Sequence, residues 1–202
     1  MLHLQCELPA ALQPLLLRWW EDFHYAELLS LPGFLWARRG HLIAPGGTSP
    51  IVTMYGLADA AAADQPRPPE FTLLPAELDG HVTFHRRIMR RVSGASEPAA
   101  SRFVQLLRPL ADDNATDLAE AADWVRDWPG VHTVSCWRSV VNTPHTSRAE
   151  VVHLTGAELI HAELDADDAA VRALMTLCSD QLPGWKPTGY RQTYPRRADQ
   201  PV

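Results

Sequence analysis

The sequence predicts an α+β fold made of two related halves. Three observations carry this. Apolar residues alternate with polar ones in short runs, longer runs repeat them at helical spacing, and a Pro-Gly pair stands between a helical run and a strand three times. Those junctions are Leu31-Pro32-Gly33-Phe34, Trp128-Pro129-Gly130-Val131 and Leu182-Pro183-Gly184-Trp185.

Residues 2–8 place Leu2, Leu4, Cys6 and Leu8 on one side and His3, Gln5 and Glu7 on the other, a strand with one polar face. Pro9 ends it. Ala10–Leu31 reads as a helix, with Pro14 in its first turns, where the missing N–H costs little. Phe34–Ile43 reads as a strand, Ala44–Pro50 as a hairpin connection around Pro-Gly-Gly, and Ile51–Leu57 as the returning strand. Asp59–Pro69 is an Ala/Pro-rich connector, Ala76–Val92 is expected to be helical, and Ser93–Ala100 is a second linker. No clear fourth strand follows in this half, unless Phe71–Leu74 serves.

The pattern then restarts. Arg102–Arg108 is a strand, Ala115–Asp127 a helix, Val131–Val141 a strand, and Glu150–Leu164 a long or broken strand. Asp167–Leu182 is a helix with Asp167 or Asp168 as N-cap, and Trp185–Tyr194 is the last strand. This βαββαβ order is the ferredoxin-like unit, so residues 1–98 form a first half and 99–202 a second.

The chain has 202 residues, 46% of them hydrophobic, which is ample for a buried core. A net charge of −6, with no face that gathers cations, argues against nucleic acid as a partner. Arg86, Arg87, Arg90 and Arg91 are read, on a helix, as a solvated stripe, with a phosphate or acidic-ligand site as the alternative. Cys6, Cys136 and Cys178 lack any paired spacing and read as reduced, buried thiols. No apolar run is long enough to span a membrane and no leader-like segment opens the chain, so a cytoplasmic protein is expected.

Trp20-Glu21-Asp22-Phe23-His24, then Glu27-Leu28-Leu29-Ser30-Leu31-Pro32-Gly33-Phe34 and Ala37-Arg38-Arg39, resembles the signature of EthD-like proteins. The match covers about 40 residues; the second half matches in layout only. The resemblance implies a dimeric α/β-barrel architecture, here from two tandem ferredoxin-like units in one chain, with a homodimer as the assembly considered. The superfamily includes cofactor-free monooxygenases, polyketide cyclases, dehydratases and isomerases. Superimposing the first two Pro-Gly stops sets Ala121 opposite His24, so chemistry that depends on that histidine would belong to one half.

If helices cover the Leu2/Leu4/Cys6 side, then His3, Gln5 and Glu7 point into the space between the sheets, which is a ligand pocket by default. His24 is the leading catalytic candidate, a general acid/base flanked by Trp20 and Leu28, with Glu21 able to orient it. Arg38 and Arg39 project to opposite faces, so one of them can hold an enolate or carboxylate oxygen inside. His41 and Tyr55 could transfer a proton or bond a ligand oxygen. Trp20, Trp36, His3 and Glu7 are candidate substrate contacts, joined by His161 and Tyr190 of a second constellation that also includes Glu163 and Tyr194. His81 and His85 have metal-pair spacing but lack the glutamate of a His-Glu-x-x-His motif and stand beside four arginines, so no metal is expected. No phosphate loop or nucleophile motif is present, and no cofactor is expected.

The leading expectation is therefore a small cofactor-independent enzyme that cyclises, dehydrates or isomerises a hydrophobic or aromatic polyketide-like molecule. A cofactor-free monooxygenase and a non-catalytic ligand-binding or assembly protein are the alternatives.

Overall fold

In the computed structural model, the alternation read from residues 2–8 becomes strand β1 (Leu2–Glu7). The residues described are 1–43, 51–66, 68–97, 99–110, 116–140, 151–154 and 156–197. The helical stretch after β1 begins with a 3₁₀ turn and continues as α1 (Gln13–Trp19), a π-helical turn (Trp20–His24) and α2 (Tyr25–Ser30). Gly33, at φ +86°, turns the chain into β2 (Phe34–Leu42). The expected hairpin at Ala44–Pro50 lies outside the described residues, and β3 (Ile51–Leu57) follows it.

The next element departs from expectation. The helix expected over Ala76–Val92 is a 3₁₀ turn at Ala76–Leu78 followed by strand β4 (Thr83–Ser93). It is also the fourth strand that seemed missing; Phe71–Leu74 forms none. The cause is tertiary. One edge of β4 pairs with all of β1, and the other with β6 (Val131–Ser139) and the short parallel β7 (Val151–His153), so the backbone groups of two other strands depend on it. The arginines are accordingly no helical stripe. Arg86 points out to the Ala63 carbonyl and Asp64, Arg87 points in and donates to Gln5 at 2.8 Å, and Arg90 and Arg91 are exposed.

The second half is the full unit: β5 (Arg102–Pro109), α3 (Leu118–Arg126), β6, β7, β8 (Ala157–Leu164), α4 (Asp168–Gln181) and β9 (Lys186–Arg197). The long strand expected over Glu150–Leu164 is thus broken into β7 and β8.

Strands run in the order β1-β3-β2-β9-β5-β8-β6-β4, and β4 pairs back with β1. The result is a closed eight-stranded antiparallel barrel with helices outside, in which each of the eight strands pairs on both sides. The core has three parts. Leu16, Trp20, Tyr25, Leu28 and Leu78 pack on the outward side of the first-half strands; Val125, Val171, Leu174 and Cys178 do the same on the second half. Trp36, Met54, Met89, Phe103, Trp137 and Tyr190 fill the barrel itself. Gly40 and Gly56 make that filling possible: a Cβ at Gly40 would collide with Phe103 and Tyr190, and one at Gly56 with the Trp36 indole.

Candidate functional site

Strand alternation sorts the candidate residues into two groups. His3, Trp36, Arg38, His161 and Tyr190 face the barrel interior, and Glu7 lies at the end of β1, with Oε1 3.3 Å from His85 Nε2. Trp20, His24, His41 and Tyr55 belong to the outer layer. Trp20 stacks on Tyr25 and meets the edge of Phe84, while Tyr55 packs against Tyr25 and Phe34. His24 was expected at the barrel mouth. Its ring instead lies buried in the helical layer, stacked on Trp19 at 4.3 Å, because the helix that carries it covers the outside of the sheet. Arg38 and Arg39 do point to opposite faces: Arg38 pairs with Glu97 at 2.6 Å, and Arg39, buried, pairs with Glu21 of the π turn. His41 follows Arg39 on that outer face. Burial and the nearby Arg39 lower its pKa against the opposing pull of Glu21.

Inside, a chain of polar side chains crosses the barrel. His3 Nε2 lies 3.0 Å from Gln105 Oε1, and Gln105 Nε2 lies 3.3 Å from His161 Nδ1 and 3.3 Å from Met54 Sδ. An amide oxygen only accepts and an amide nitrogen only donates, so Gln105 sets both tautomers. His3 carries its proton on Nε2, and so does His161, whose Nε2 stands 3.8 Å from Glu163 Oε1. Glu163 also accepts from the Ala99 and Ala100 amides of the connector between the halves. Burial raises its pKa, but His161 and those amides outweigh burial, so its carboxyl sits below the ordinary glutamate range. Burial, with Arg87 and His161 adding to it against the Gln105 bond, pulls His3 down to about 3. Burial pushes the Tyr190 phenol up to about 12. The centre of the barrel is therefore polar, uncharged at His3, and filled.

Among the described residues, open space lies at one end of the barrel. A cavity of about 770 Å³ is floored by Trp36, Met89 and Trp137 and rimmed by Asp59, Arg90, Arg91 and Glu97. No histidine is among the described lining residues. Its size and apolar floor suit a drug-sized planar molecule. Among the described residues, no group of three or more His, Cys, Asp or Glu side chains could hold a metal ion. No helix among the described residues is long and apolar enough to cross a membrane.

Gln105 escaped sequence reading, and Arg87 was read only as part of a solvated stripe. Gln105 left a usable signal, as the one polar residue within Phe103–Leu107; Arg87 did not, because its element was assigned to the wrong periodicity.

The closed barrel of two ferredoxin-like halves is a fold of the dimeric α/β-barrel type. Two solved structures share it: an anthrone oxidase-like protein (TM-score 0.59, 10% identity, covering 100% of this chain and 93% of that one) and a candidate monooxygenase from Fusobacterium nucleatum subsp. nucleatum (TM-score 0.51, 12% identity, covering 97% and 93%). No protein-family model and no curated protein matches the chain.

Proposed function

We propose that this protein is a cofactor-independent enzyme of EthD-like descent that takes an aromatic, polyketide-like molecule into the mouth pocket and acts as a monooxygenase. The observation that carries the reading is the aromatic floor of Trp36 and Trp137 under a pocket whose described lining contains no imidazole. Cyclisation or isomerisation driven by His24 needs a base against the substrate, and that ring lies on the other side of the sheet. An anthrone-type substrate asks for less. Its C–H proton is acidic enough to pass to solvent at the open rim, where the Asp59 carboxylate also stands, and the resulting electron-rich carbanion can itself reduce O₂. The CH₂ carbon becomes a carbonyl with one oxygen atom, and the other leaves as water with the two hydrogens. The protein's part is to orient the ring system and exclude bulk water. The names of the two fold neighbours agree with this chemistry.

The test is oxygen uptake with anthrone as substrate. One O₂ should be consumed per quinone formed, and His24→Ala should change kcat by less than about 3-fold. No uptake above the spontaneous rate removes the oxygenase reading. A kcat loss of about 10²-fold in His24→Ala would restore that residue as general base. A second reading, a non-catalytic binding protein of the same fold, draws on how fully Trp36, Phe103 and Tyr190 fill the barrel. Tight binding of the aromatic without turnover would favour it.

A further inference from the structure

Resting on the mouth pocket as the ligand site, we infer that its ligand is an anion: a planar apolar body over Trp36 and Trp137, with an acidic oxygen held by Arg91. The charge ledger of the rim carries this. Four charged residues line the pocket: Glu97 is paired with Arg38 at 2.6 Å, and Asp59, whose Oδ1 accepts from the Ala62 amide at 2.9 Å, keeps its charge, so with Arg90 and Arg91 the rim has one cation in excess. Arg90 and Arg91 have no ion-pair or hydrogen-bond partner among the described residues.

Their neighbours do not supply one. On the adjacent strand Arg90 stands opposite Arg138, another cation, whose own guanidinium is committed to the buried carboxylate of Glu158. Arg91 stands opposite Trp137, beside the indole of the pocket floor. Arg90 and Arg91 are consecutive on β4 and leave it on opposite faces, Arg91 on the Trp137 side, so Arg91 is the guanidinium placed to meet an acidic oxygen over the indole floor. Guanidinium geometry suits carboxylate, sulfonate or phenolate oxygens, and a partly dry pocket strengthens the bond relative to water. On a protein of net charge −6 this rim is a local exception, so it acts at contact range rather than by steering ligands from afar.

The experiment compares two probes of the same shape, 2-naphthoate and 2-naphthalenemethanol, by isothermal titration calorimetry. Binding is measured to the full chain and to the Arg91→Gln variant, whose exposed position leaves folding intact. The wild type should bind the carboxylate at least about tenfold more tightly, and the variant should bind both probes within about threefold of each other. Equal affinities in the wild type, or a preference that survives in the variant, overturn the inference and leave the pocket standing. If neither probe binds the wild type, the pocket reading falls and takes the inference with it.

Discussion

The two halves of the barrel solve the same packing problem differently. The second half covers its strands with two helices, α3 and α4, whose Val125, Val171, Leu174 and Cys178 make a continuous dry layer. The first half has one interrupted helix, and where a second would stand it runs a connector of short turns that buries Ala62 and Leu78. That connector starts at the pocket: Ala58, Asp59 and Ala60 line it, together with residues of β2 and β4. Most of the lining thus comes from the half that lacks the helix. The comparison teaches a division of labour in which the complete half supplies rigidity and the incomplete half leaves room for a ligand.

The largest expected effect tests that division directly. Leu174→Ala removes a fully buried side chain from the α4 layer and should cost about 2–5 kcal/mol of stability in urea unfolding. Naphthoate affinity, measured well below the thermal midpoint, should not change. If affinity falls along with stability, the halves are not separate in the way proposed.

The seam between the halves predicts a pH effect. His3 of β1 bonds Gln105 of β5, and burial holds its folded-state pKa at about 3 against an unfolded value of 6.5. In that interval the unfolded chain binds a proton that the folded chain refuses. Stability must therefore drop as pH falls below about 6.5, by up to about 1.4 kcal/mol per pH unit, and continue dropping until about pH 3. Between pH 7 and pH 5 His3 should account for about 2 kcal/mol of lost stability, and His3→Gln should remove most of that loss. His41, only half-buried, adds a smaller change of the same sign. Glu163, whose pKa is depressed, loses its contribution only at more acid pH, below the ordinary glutamate range, so it does not confuse the comparison. An unchanged slope in His3→Gln would mean that the histidine is not shielded as its burial implies.

These contrasts also explain what was legible beforehand. The polar face of β1, the Pro-Gly stops and the alternation of His161 and Glu163 against Ile160, Ala162 and Leu164 are local patterns, and each appears in the structure as written in the sequence. β4 was not legible. Its central run, Arg86 to Arg91, is rich in residues that favour helix, and only the open edges of β1 and β6 make it a strand. The site failed for a related reason. The π turn at Trp20–His24 shifts helical phase by about one residue, so Trp19 and Trp20 are both buried, as are His24 and Tyr25. No regular 3.6-residue stripe predicts that. Gln105 needed partners from β1, β3 and β8, which only barrel closure brings together.

The smallest effect concerns how helices begin in the two halves. Asp167 caps α4 by accepting from the Ala170 amide at 2.9 Å, whereas α1 starts with no side-chain cap and relies on Pro14 in its first turn. Asp167→Ala should lower stability by about 0.5–2 kcal/mol, read as a fall in the thermal midpoint, with Asp167→Asn recovering most of it because an amide oxygen accepts the same bond. Pocket affinity should again stay level, since α4 meets the barrel through β9 and β5, away from the cavity lining. A loss of stability in the alanine variant that asparagine fails to restore would mean that the carboxylate acts through its charge on the helix end instead of through the cap bond.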